Sequence, residues 1–107
     1  MIKIMYEFMI DINLPVPFTD EFLSLVPMQR ALVNKLMNEG TISSYALSIE
    51  SGKLWITVIA ETETDVKELI GSFPIAEHIL YKINKLTFHN SVNFKVPEFS
   101  LNLFSTI

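Results

Sequence analysis

The residue best suited to acid–base chemistry in this sequence is Glu7, set between Met5 and Met9 in an opening stretch of alternating residues. Burial penalises the charged form of a carboxylate, so one held among apolar side chains is a stronger base than one in water, and Glu7 is the candidate general base. The alternative is a structural pair in which a lysine or a tyrosine hydroxyl satisfies it. Arg30 offers a planar guanidinium able to clamp a carboxylate through two parallel hydrogen bonds, or else a solvated helix side chain. Tyr45 and Tyr81 carry phenolic donors, and each could equally be a rim aromatic. His78 and His89 are both able to act as bases at neutral pH. Neither has a third ligand near it in sequence, so no metal is expected. His89, followed by Asn90 and Ser91, reads as a strand exit and a structural residue. Glu61 is equally a charge favoured by the dipole of a following helix.

The composition narrows what these residues can serve. A chain of 107 residues without cysteine forms one domain, with no disulfide framework and no thiol chemistry. Eight Lys and Arg against 12 Asp and Glu give a net charge of -4 and a pI near 5.0, with the basic residues scattered. Nucleic-acid binding needs clustered cations and is not expected. No glycine-rich phosphate loop and no nucleophile elbow is present, so no nucleotide cofactor and no serine hydrolase is indicated. The mean hydropathy of +0.36 is high, yet the apolar run from Leu54 to Ala60 is interrupted by Thr57 and far too short to span a bilayer. Lys3, Glu7 and Asp11 break what would otherwise be a signal core, and the expectation is a cytoplasmic protein with no membrane partner.

The elements that must position these side chains follow from periodicity. Residues 2 to 12 alternate, with Ile2, Ile4, Tyr6, Phe8, Ile10 and Ile12 on one face, and form a first strand. After Pro15 and Pro17, Phe22, Leu25, Val26, Leu32, Val33, Leu36 and Met37 recur at helical spacing from the Thr19 start to the Gly40 stop. Pro27 falls inside this stripe, and the favoured reading places it at the first position of a second helix after a short turn. Thr41 to Glu50 and Leu54 to Glu61 are strands joined by a hairpin at Ser51-Gly52. Thr62 and Asp65 start a second helix that carries Val66, Leu69, Ile70 and Phe73. A last strand runs from Ile79 to His89, with a bulge expected near Asn84 and Lys85 where its alternation slips.

The resulting order, β-α-β-β-α-β, is that of a ferredoxin-like α+β fold: a four-stranded antiparallel sheet with two helices on one face, over residues 1–90. The other face carries Met5, Met9, Trp55 and Ile59, more apolar surface than a monomer leaves open. A homodimer with the two sheets face to face, a dimeric α+β barrel, is therefore expected. Residues 91–107 form a tail that packs on its own or the partner subunit.

At Val26-Pro27-Met28-Gln29-Arg30-Ala31-Leu32-Val33, then Leu36, Gly40, Ile42 and Ser44-Tyr45-Ala46-Leu47, the chain resembles the muconolactone isomerase-like branch of the dimeric α+β barrel proteins. The likeness covers residues 4 to 89 and rests on element order and helix wording. It implies a dimeric barrel and a pocket for a small carbonyl-bearing or aromatic-derived molecule, without a bound cofactor. Isomerisation of this kind moves a proton next to a carbonyl and needs a base and a partner for the developing enolate oxygen. Glu7 then stands as catalytic base, and Arg30, Tyr45, Trp55, Tyr81 and His78 as contacts of a small organic ligand. Related YciI-like proteins carry a histidine in the first helix, where this chain has Met28, Gln29 and Arg30. The competing expectation is a non-catalytic small-molecule-binding or assembly module.

Overall fold

A computed structural model of the chain describes residues 2–91. Beyond Ser91, the expected tail lies outside the described residues. The order is β1 (Tyr6–Asn13), α1 (Asp20–Asn38), β2 (Ile42–Ser48), β3 (Lys53–Ala60), α2 (Glu63–Gly71), a 3-10 turn (Ala76–His78) and β4 (Leu80–Lys85). The strands pair antiparallel in one sheet, ordered β2-β3-β1-β4, which is the ferredoxin-like α+β arrangement. No helix among the described residues is long and apolar enough to cross a membrane.

The core follows from two periods meeting. Phe8, Ile10 and Ile12 project from one side of β1, and Leu54, Ile56 and Val58 from the same side of β3. Phe22, Val33 and Leu36 from α1 and Val66 and Ile70 from α2 close over them in a single buried cluster. Burying each such side chain contributes about 1.5–3 kcal/mol, the driving force that holds both helices on one sheet face.

The ends of α1 are chemically specified. Thr19 accepts a hydrogen bond from the Phe22 N–H at 3.0 Å, and Asp20 and Glu21 complement the dipole. At the other end, the Thr41 N–H reaches the Leu36 carbonyl at 2.9 Å and the Gly40 N–H that of Met37 at 3.1 Å, with Gly40 at φ +82°. This closure needs a left-handed residue, which glycine supplies without a Cβ penalty. Between these ends α1 is continuous, which corrects the expected break at Pro27. Pro27 and Leu23 are exposed, so the helix runs through proline with its missing hydrogen bond on a side that water reaches.

The expected bulge is also relocated. β4 keeps one register against β1 through Lys85, and the Leu86 N–H continues it to the Glu7 carbonyl at 2.9 Å. The slip in alternation arises because Leu86, opposite Glu7, belongs to the face turned away from the helices. The irregularity lies instead in β2, between Ile42 and Ser44. β1 is shorter than its pattern, starting at Tyr6 and leaving Ile2 and Ile4 exposed.

Gly52 ends the β2–β3 turn at φ +62°, and a Cβ there would lie 2.6 Å from a Val16 methyl, whereas one on Gly40 would meet nothing. Gly40→Ala is expected to cost about 1 kcal/mol from backbone conformation. Gly52→Ala adds the clash and is expected to cost about 2–4 kcal/mol in chemical denaturation.

Candidate functional site

Two groups of polar side chains stand out, on opposite faces of the sheet. On the open face, Glu7, the second residue of the inner strand β1, projects outward because it alternates with the buried Phe8. Its Oε2 accepts the Ser43 hydroxyl proton at 2.6 Å, and its Oε1 lies 2.9 Å from Nδ1 of His89. Ser43 spends its one proton on Glu7, so its oxygen accepts from the Thr57 hydroxyl 2.6 Å away, and Thr57 in turn accepts from Ser44. The direction of this chain is therefore set: Ser44 to Thr57 to Ser43 to Glu7. The β2 irregularity makes it possible, since it brings two consecutive serines onto the single Thr57 of β3. Thr57 is 1% exposed, and this network is what satisfies it.

An ionised carboxylate only accepts, so the His89 Nδ1 that faces Glu7 carries its hydrogen. The Glu7 and His89 side chains are 21% and 31% exposed, sheltered but reachable. Met9, Trp55 and Ile59 half-cover the same face, and an Asp11–Lys53 ion pair of 2.9 Å lies further along it. The expected lysine or tyrosine partner of Glu7 is thus replaced by a serine and a histidine. His89, read from sequence as structural, sits in the cluster.

The second group lines a groove of about 430 Å³ between α1 and the helix-facing side of β2, within the range of about 300–1,000 Å³ typical of small-molecule sites. Its walls are apolar, with Phe18 and Phe22 stacked at 5.4 Å between ring centroids, and its polar groups are Gln29, Arg30 and Tyr45. Among the described residues, no carboxylate and no imidazole lines it. Burial pushes the Tyr45 phenol above its ordinary value of 10.0, while the positive charge of Arg30 pulls the other way. Gln29 is 7% exposed. Its Oε1 accepts the Ile75 N–H at 3.4 Å, and its Nε2 is buried with no hydrogen-bond partner among the described residues.

Of the residues expected to act together, Arg30 and Tyr45 meet in the groove, whereas Glu7 and Trp55 share the opposite face. His78 lies apart from both, 3.8 Å from Glu21 and edge-on to Phe22. Tyr81, opposite Ile12 on β4, is 40% exposed at the sheet edge. Glu61 lies 3.5 Å from Lys3 on the surface. Among the described residues, no three His, Asp or Glu side chains converge as metal ligands. Gln29 had a sequence signal: it interrupts the apolar stripe at the spacing of Val26 and Val33, a polar residue in a core position. Ser43 had none, since only the irregularity turns it toward Glu7.

No family model and no curated protein matches this chain.

Because folding raises the Tyr45 pKa, the unfolded chain loses this proton first. The stability from a neutral Tyr45 is complete below the ordinary tyrosine value and is lost as pH rises through the higher folded one. Stability measured above pH 10.0 is expected to fall less steeply in Tyr45→Phe than in the parent chain.

Proposed function

We propose that this chain is a proton-transfer enzyme of the isomerase type, acting on a small carbonyl or lactone compound held against the open sheet face. The observation that carries this reading is the Glu7 carboxylate fixed by Ser43 at 2.6 Å and His89 at 2.9 Å on a face otherwise rich in Met, Trp and Ile. Such a pair can take a proton from the carbon next to a carbonyl while the electron pair moves onto the carbonyl oxygen as an enolate. The same pair returns the proton at another carbon, so no co-reactant is consumed. Glu7 orients the imidazole and stabilises it once protonated, and His89 Nε2 receives the proton. The resemblance to muconolactone isomerase-like proteins supports the same class of reaction.

A second copy packed on this face would exclude water from the pair and bury Met5, Met9, Trp55 and Ile59, so the proposed enzyme is a homodimer. A non-catalytic binding role is the competing reading. It is favoured by the α1–β2 groove, whose described lining has hydrogen-bond donors but no base.

Deuterium incorporation from D2O next to the carbonyl of simple butenolides, followed by NMR, tests the chemistry. Glu7→Gln and His89→Asn are each expected to slow exchange by about 10²–10⁴-fold. Exchange that is absent in the parent chain, or unchanged from it in both variants, removes the proton-transfer reading. In sedimentation, a species of twice 12.2 kDa is expected, converted to monomer by Trp55→Glu.

A further inference from the structure

Thr57 is the polar residue that interrupts the apolar run of β3, and the proton transfer proposed above makes no use of it. It stands opposite Met9 on β1 and Ser44 on β2, and it alternates with Val58 so that it shares the open face with Trp55 and Ile59. Those two are half-buried, whereas Thr57 at 1% exposed is out of reach of any substrate. A valine has nearly the same shape and suits these apolar neighbours, so the hydroxyl is explained by what it bonds.

Ser43 is the partner through which that hydroxyl acts. It has one proton and two acceptors within range, Glu7 Oε2 at 2.6 Å and the Thr57 carbonyl at 3.4 Å. The Thr57 hydroxyl donates into the Ser43 oxygen from 2.6 Å. This incoming bond takes one lone pair of Ser43 and polarises its O–H, which favours the charged acceptor over the carbonyl. Glu7 is then held by Oε2, and Oε1 stays on the His89 imidazole at 2.9 Å.

We propose that Thr57 is a positioning residue: by donating to Ser43 it commits the Ser43 proton to Glu7 and so fixes the carboxylate against His89. Its part in turnover rests on the proton-transfer reading above, whereas the positioning itself is read without a substrate. Two consequences distinguish this role from simple packing. Thr57 acts through Ser43, so its hydroxyl has no effect once the Ser43 hydroxyl is gone. It touches no substrate, so its loss slows the chemical step and leaves substrate binding as it is.

The test is the rate at which the His89 Nδ1–H exchanges with water, followed by NMR on the full chain with isotope-labelled histidine. His78 and His89 are the only histidines, and His89→Asn identifies the signal. Thr57→Val is expected to speed this exchange about tenfold, the scale of one hydrogen bond to a charged group. Thr57→Ser restores the hydroxyl and should stay within about threefold of the parent chain. Ser43→Ala should speed exchange at least as much as Thr57→Val, and adding Thr57→Val to it should change nothing further. Thr57→Ala gives the same comparisons should the valine variant fold poorly. With α-angelica lactone in D2O as the probe, Thr57→Val is expected to lower kcat about tenfold and leave KM within about twofold. An Nδ1–H too fast to observe in the parent chain, a rate unchanged in Thr57→Val, no recovery in Thr57→Ser, or effects of Thr57→Val and Ser43→Ala that multiply would each overturn the proposal. Lactone exchange absent from the parent chain overturns the proton-transfer reading alone, since the imidazole signal decides the role of Thr57 without a substrate.

Discussion

The alternation of β1 is the constraint on which both candidate sites depend. As an inner strand between β3 and β4, it is held on both edges, so its register cannot shift without losing two ladders at once. With Phe8, Ile10 and Ile12 committed to the core, Glu7, Met9 and Asp11 have no choice but the other face. The Glu7 centre and the groove are thereby assigned to opposite sides of the sheet. Acid–base groups and groove donors are consequently kept apart by the thickness of a β-sheet and share no side chain.

Two polar residues are buried in the described structure, and they contrast sharply. Thr57 sits among hydroxyl and carboxylate partners supplied by β1 and the irregular start of β2, so its burial is compensated. Gln29 satisfies only half of its amide. An unmade hydrogen bond in a dry setting costs about 1–3 kcal/mol, comparable to the gain from burying one aliphatic side chain. The first arrangement stiffens the sheet face around a carboxylate. The second leaves α1 with an unmet demand at the wall of its own groove.

Element order was legible because each element repeats its signal. The two-residue period of β1, the i, i+3, i+4 stripe of α1, Thr62 ahead of Val66 and Ile70, and the Gly52 turn each have one physical reading. Pro27 and the last strand misled for different reasons. Proline forbids one hydrogen bond but leaves a helix intact where that bond faces water. Leu86 looked out of step only because the second sheet face also carries apolar residues. The site was half legible. Glu7 could be chosen from its methionine neighbours, and Arg30 and Tyr45 from their chemistry, but which of them meet depends on strand pairing. His89 pairs with Glu7 across the whole length of the described chain, and no local pattern announces such a contact.

The latch between the β1–α1 loop and the β2–β3 turn has a consequence for chain connectivity. The Leu14 N–H bonds to the Gly52 carbonyl at 2.9 Å, and Val16 leaves no room for a side chain on Gly52. Leu14 and Phe18, on either side of that contact, are also walls of the groove. By its short length and exposed Glu50 and Ser51, the turn resembles a natural place for new termini or an inserted domain. Opening the chain there would instead unfasten the groove's mouth. The exposed Gly71–Ser72 end of α2 is not among the groove's lining residues, and it is where this fold can be cut, permuted or fused while the groove stays whole.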